Sequence, residues 1–460
     1  MVDVAIKNCK LVTPRGIVPA GVAVEGEKIV AVARDPNLPV ADRTIDAGGK
    51  YVIPGVIDPH SHLGSHFSFE DDFRTETQSA AGGGVTTLFT LMQDKRSLKE
   101  IVPKRIKMAE RNATIDLSFG GGFMPSPSPH LDELANYIDL GITAFKCKPA
   151  TEKWGPIVVA GVDDGSLYAC FKALGELGGL PMVHAENPKI VEMFRDHLMK
   201  TGRKDLPAYT ESRPSFAEEE YMRRAIFIAK VASSPLYIVH ITISNGLDVV
   251  AEAKVDGVNV IAETCPHYLT HTKDSGLGIL GVVTPPLREK KDIEGLWHGI
   301  KSGVIDCIGS DHATIMPRSE REKGDIWTTM PGWPGTETLL PVMLSEGVNK
   351  GRISLEKVVE TCCYNPARAF GLYPRKGTIS VGSDGDLTIV DLDKKVKVTP
   401  DVLHSAADWT IYDGWEMKGW PVMTICRGNV VMEEGEIVGK PGTGRFIKSL
   451  PLPASARLMR

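Results

Sequence analysis

The stretch Pro54-Gly55-Val56-Ile57-Asp58-Pro59-His60-Ser61-His62 constrains this chain more than any other. A short apolar run, Tyr51 to Ile57, reads as a buried strand that ends in two histidines one residue apart. Period-2 geometry points both imidazoles to the same face. Two neutral nitrogen ligands side by side at the C-terminal end of a strand suit a divalent transition metal. The plainer alternative is a pair of polar residues where a strand leaves the core, so partners elsewhere in the chain must decide.

From residue 52 the pattern alternates strands with helices. The strand candidates are Val52–Ile57, Val85–Leu91, Ile115–Phe119, Ile142–Lys148, Leu180–His184, Leu236–His240, Val258–Ala262 and Ile305–Ile308. Helical stretches such as Phe73–Ala81, Ser97–Arg111, Leu131–Leu140, Leu167–Leu177, Phe216–Ala232, Gly246–Ala253 and Asp292–Ser302 separate them. Parallel strands need long crossovers, and a count of eight favours a closed (β/α)8 TIM-like barrel over an open doubly wound sheet. Residues 1–51 and 376–440 have β texture instead, with a hairpin turn at Glu25–Lys28 and strand candidates at Thr378–Val381, Asp386–Val390 and Val422–Cys426. The expected fold is α/β: a barrel over residues 52–375, a small β-sandwich domain built from both chain termini, and an irregular tail over 441–460.

Composition narrows the function classes. The net charge of −5 over 460 residues implies neither a nucleic acid nor a membrane partner. No stretch approaches the apolar length of a membrane span, and no basic start precedes an apolar run, so neither a signal peptide nor a transmembrane helix is expected. Eight cysteines scattered without CxxC spacing fit reduced, small-hydrophobe residues of a cytoplasmic protein.

Reactive groups of such a barrel collect at the C-terminal ends of its strands. Reading off those ends gives His60 and His62, then Lys146, His184, His240 and Asp311. Lys148 lies on the same strand face as Lys146, and alternation does not separate the two. The sequences Pro-Gly-x-Ile-Asp-x-His-x-His, Ala144-Phe145-Lys146, Val183-His184-Ala185-Glu186, Val239-His240-Ile241-Thr242 and Gly309-Ser310-Asp311-His312 resemble the amidohydrolase superfamily. They are most similar to its cyclic amidohydrolases, the hydantoinases, dihydropyrimidinases, allantoinases and dihydroorotases. Cys265-Pro266-His267-Tyr268-Leu269, Thr284-Pro285-Pro286-Leu287-Arg288 and Pro331-Gly332-Trp333-Pro334-Gly335 extend the likeness over nearly the whole chain.

The resemblance implies two divalent metal ions, zinc first, with manganese or cobalt tolerated. His60, His62 and Asp311 would hold one ion, and His184 and His240 the other. Lys146, selected by the family's Phe-Lys pattern and carboxylated to N6-carboxylysine, would bridge them. The implied reaction is hydrolysis of a cyclic amide C–N bond by a water held as hydroxide between the ions, with Asp311 as general acid and base. The implied partner is a small cyclic amide or ureide, and the implied assembly a homodimer or homotetramer.

Leu63 stands where dihydroorotase-like and allantoinase-like enzymes commonly carry an arginine, which disfavours a carboxylated ring. Hydantoin and dihydropyrimidine rings come first, allantoin is the alternative, dihydroorotate lies further off, and a non-catalytic dihydropyrimidinase-like scaffold is the remote one. Leu63, Phe67, Thr151, Trp154, Thr284 and Pro331 are the candidate substrate contacts. Thr151 and Pro331 replace a tyrosine and an asparagine usual in hydantoinases. His267 is assigned a structural hydrogen bond, and His404 a surface or packing role.

Overall fold

The computed structural model describes residues 1–92, 97–122, 131–149, 152–154, 157–159, 161–313 and 316–453, and the counts below are of these. Its central sheet is parallel throughout and takes its strands in chain order: Val56–His62, Val85–Met92, Asp116–Gly122, Ala144–Cys147, Leu180–Val183, Leu236–Ile238 and Val260–Thr264. The eighth strand comes in two pieces. Cys307–Ile308 pairs with Glu263–Thr264 of the seventh strand, and His312–Ala313 pairs with Ser61–His62 of the first. The break at Gly309-Ser310-Asp311 thus closes a TIM-like barrel. Residues such as Val85–Met92, buried along their whole length, are the near-continuous apolar runs that a sheet covered on both faces requires.

Helices cover the outside, several of them started and stopped by local chemistry. Ser68 caps Phe69–Gly82 by accepting the Asp71 N–H, and three acidic residues fill the first turn. Gly178 and Gly303 end Asp164–Leu177 and Lys290–Ser302 in the left-handed conformation that favours glycine. Two helices, Pro188–Lys200 and Leu206–Glu211, had no counterpart in the sequence reading.

The chain's two ends build a β-sandwich. A four-stranded sheet is made by Val2–Lys7, Gly21–Glu25, Lys28–Ala33 and Ala41–Asp46. A seven-stranded sheet combines Lys10–Thr13, Gly16–Pro19 and Tyr51–Pro54 with Leu387–Lys397, Glu416–Cys426, Asn429–Glu433 and Glu436–Ile437. Ile6, Val22, Val24 and Ile29 pack with Leu11, Val52, Leu387, Ile389 and Ile425 in its core. Two expectations are corrected. The run Val52–Ile57 is not one strand: Tyr51–Pro54 belongs to the sandwich, and the barrel strand begins at Val56. Thr378–Val381 is irregular; beyond it Gly382 and Ser383 bond the backbone of Ile29.

A buried ion cage joins the domains. Lys376 Nζ lies 2.5 Å from Asp116 at the base of the third barrel strand, 2.5 Å from Asp386 and 3.2 Å from Asp384. Arg427 joins Asp116 to Glu27. Residues 441–453 then run across the base of the barrel, with Arg445, Ile447 and Leu452 bonding Leu117 and Gly178.

Candidate active site

At the opposite end of the barrel the first strand delivers His60 and His62, whose Nε2 atoms lie 3.2 Å apart. Asp311 Oδ1 sits 3.0 Å from His60 Nε2 and 3.1 Å from His62 Nε2. Lys146 Nζ lies 2.7 Å from His60 Nε2 and 3.3 Å from His62 Nε2, which separates Lys146 from Lys148 where alternation did not. Beside this group His184 Nδ1 and His240 Nε2 are 3.1 Å apart, and the His60 and His240 rings stack at 5.6 Å. The structure therefore brings all six expected ligands together.

Two of the six backbones are held in uncommon conformations. Asp311 has φ +50° and His240 φ +43°, in the left-handed region that few side chains adopt without support. For Asp311 the support is Asp58, fully buried one turn of the pleat below His60. Asp58 Oδ1 accepts the Ser310 N–H at 3.0 Å, and Oδ2 accepts the hydroxyls of Ser310 at 2.5 Å and Thr336 at 2.8 Å. One carboxylate thus staples the first strand to the break in the eighth.

Two further buried carboxylates set the imidazole tautomers. Glu263 takes the His60 Nδ1–H at 2.8 Å, which leaves Nε2 as the atom facing Asp311 and Lys146. Glu186 takes the His184 Nε2–H at 2.9 Å and is itself paired with Arg213 at 2.7 Å, which leaves Nδ1 facing His240. The imidazole nitrogens and the Asp311 oxygen converge on one spot, a donor set that suits a cation. His240 Nδ1 is buried without a hydrogen-bond partner among the described residues.

The electrostatics favour the same occupant. Burial, then the Lys146 charge, push His62 down to about 4. Burial and Lys146 likewise hold His240 well below its ordinary value, and burial lowers the Lys146 amine. Burial raises the Asp311 carboxyl, but the charges of His60 and Lys146 outweigh it and keep it ionised well below the usual range.

The candidate substrate contacts are more dispersed. Leu63 is buried in the apolar core, with its N–H on Thr90. Phe67 is half-buried against His66. The Thr284 hydroxyl bonds Tyr209 at 2.7 Å. Pro331 precedes Gly332, whose N–H reaches Val282, so its loop lies beside Thr284. Thr151 lies outside the described residues, and Trp154 is in a short hairpin of Glu152–Trp154 with Ile157–Val159.

The assignment of His404 changes; for His267, Nε2 is buried and unpartnered among the described residues while the ring packs edge-on to Trp333. His404 pairs with Glu337 at 2.7 Å. The sequence reading also passed over Glu263, Glu186 with Arg213, and Asp58. Asp58 and Glu186 stood inside the quoted motifs, and Glu263 follows the strand predicted to end at Ala262.

Residues 51–431 match the Amidohydrolase family. The chain belongs to that family. This amidohydrolase is 37% identical to the L-hydantoinase of Paenarthrobacter aurescens over 457 residues, covering 97% of the chain and 98% of that protein. It is 38% identical to the D-hydantoinase of Ralstonia pickettii over 459 residues, with 97% and 98% covered. The crystal structure of dihydropyrimidinase from Brevibacillus agri superposes with a TM-score of 0.91 at 33% identity, covering 98% of this chain and 99% of that one. The family is metal-dependent, and the donor atoms of His60, His62 and Asp311 lie within 4.8 Å of one another.

Proposed function

We propose that this amidohydrolase opens a hydantoin- or dihydropyrimidine-type ring at a cyclic amide C–N bond, using two divalent metal ions. The observation that supports it most is the convergence of His60, His62, Lys146 and Asp311 beside His184 and His240, at the strand ends of a barrel that matches hydantoinases over nearly its full length. His60, His62 and Asp311 would hold one ion through Nε2, Nε2 and carboxylate oxygen. His184 through Nδ1 and His240 through Nε2 would hold the second. Zinc is the first expectation, with manganese and cobalt accepted by the same donor set.

Lys146 would link the two positions as a carbamate. Burial favours its neutral amine, which adds to carbon dioxide with loss of one proton and becomes an anion with two oxygens. When bound, the metals supply the Lewis acidity that activates water and polarises the ring carbonyl. The remaining work falls to the chain. Glu263 and Glu186 keep His60 and His184 in the metal-binding tautomer. Asp311, ionised at neutral pH, accepts the proton of the attacking water and returns it to the leaving ring nitrogen. Leu63, Phe67, Thr151, Trp154, Thr284 and Pro331 are assigned to the substrate's surroundings.

The relatives are hydantoinases and dihydropyrimidinases, and no arginine follows His62; both facts favour these rings over allantoin. Assembly as a homo-oligomer and residence in the cytoplasm complete the proposal. No helix among the described residues is long and apolar enough to cross a membrane. The test is a panel of hydantoin, 5-substituted hydantoins, dihydrouracil, allantoin and dihydroorotate with zinc-, manganese- and cobalt-loaded protein. Ring opening of hydantoins or dihydrouracil is expected; no turnover of any cyclic amide under all three loadings refutes the proposal.

A further inference from the structure

We infer that Glu263 is a positioning residue that ties both metal positions to a single carboxylate oxygen; the inference rests on the two-ion reading above. Glu263 is fully buried at the end of the seventh strand. Its Oε1 accepts the His60 Nδ1–H at 2.8 Å and the main-chain N–H of His240 at 3.0 Å. Its Oε2 accepts the Tyr237 hydroxyl at 2.8 Å. His60 belongs to one metal group and His240 to the other, so a single oxygen fixes the ring of the first and the backbone of the second. That backbone is the one at φ +43°, a conformation that persists only where surrounding bonds hold it.

Two observations show that the barrel is built around this carboxylate. At Gly309 an added Cβ would sit 2.6 Å from Glu263 Oε2, so the break in the eighth strand leaves space for it and for nothing larger. Glu186 and Glu218, buried nearby, are each paired with a guanidinium, Arg213 and Arg288. No arginine or lysine among the described residues forms such a pair with Glu263, whose one ionic partner is the His60 ring. A buried carboxylate without a balancing cation is costly. Dications held by His60 and His240 supply that charge. With a neutral acceptor in place of the carboxylate, the bonds to the His60 ring and the His240 backbone weaken and His60 Nε2 loses basicity.

Full-length wild-type and Glu263→Gln proteins, stripped with a chelator, are titrated with zinc against a chromogenic competitor. Their cobalt(II)-loaded forms are compared by visible absorption, and the fold by melting of the metal-free forms. Glutamine keeps the shape and removes a buried charge, so the metal-free variant should melt at or above wild type, while affinity for both ions falls about 10–100-fold and the cobalt spectrum changes. Wild-type affinity at both positions, or weakening confined to one, overturns the inference. A wild-type protein that binds fewer than two zinc ions overturns the two-ion reading itself, and the wild-type titration alone reveals it. If Glu263→Gln does not fold, Tyr237→Phe leaves the carboxylate in place and frees only Oε2. It should weaken both ions about threefold or more, and unchanged affinity there also overturns the inference.

Discussion

Asp311→Asn is the cleanest probe of the proposed chemistry because the structure separates what it removes from what it keeps. The residue sits at φ +50°, a region where asparagine is as well tolerated as aspartate, so the substitution adds no backbone strain. The staple from Asp58 to Ser310 is untouched. An amide oxygen can take the place of Oδ1, 3.0 and 3.1 Å from the His60 and His62 nitrogens, as a neutral ligand. What disappears is the group that stays ionised among His60 and Lys146 and can take up a proton. General acid–base catalysis contributes about 10²–10⁴-fold, equal to about 2.7–5.5 kcal/mol of barrier, and kcat should fall by that factor. Steady-state ring opening, read with metal content by elemental analysis and with thermal melting, should show lost turnover, a smaller loss of metal and little change in melting. Turnover within about tenfold of wild type, at equal metal content, refutes Asp311 as the proton carrier.

Further outcomes follow from other contacts. Asp58→Ala strips the Ser310 N–H and two hydroxyls of their acceptor; it should lower melting temperature and activity together, and unchanged activity would show that the staple does not place Asp311. Lys376→Met leaves the cage carboxylates without their central cation; denaturant unfolding should show a loss of about 3–5 kcal/mol, shrinking as pH falls and buried carboxylates protonate. Bonding to Glu337 raises His404 above its ordinary 6.5, so the pair stabilises fully below that value and less as pH rises through the folded one. The melting difference between wild type and His404→Gln should therefore narrow with rising pH above 6.5, and a constant difference would refute it. Chelation should abolish ring opening, and zinc, manganese or cobalt should restore it.

Much of this was legible in the sequence because strand ends carry the chemistry. Period-2 alternation put His60 and His62 on one face, and His184 and His240 each closed an apolar run that became a barrel strand. What was missed depended on where chain segments meet. Tyr51–Ile57 is uniformly apolar, so its division between two sheets left no mark except Gly55. There a Cβ would run into the Thr86 side chain, a contact no pattern foretells. The seventh strand runs two residues past Ala262, which is how Glu263 reached the interior unnoticed. The helix Pro188–Lys200 did announce itself, through Asn187 as cap and proline in the first turn, and was overlooked. The His404–Glu337 pair joins segments far apart in the chain, beyond any local pattern.

The sandwich that draws strands from both ends of the chain has a consequence for the protein's synthesis. Tyr51–Pro54 leaves the ribosome early, yet its antiparallel neighbour Leu387–Val390 emerges only after the whole barrel, roughly 15–70 s later at ordinary elongation rates. Through that interval the nascent polypeptide carries an open, apolar strand edge of the kind that recruits other chains. Stalled or truncated translation products of this gene should for that reason aggregate or occupy chaperones, even when the barrel they contain is complete.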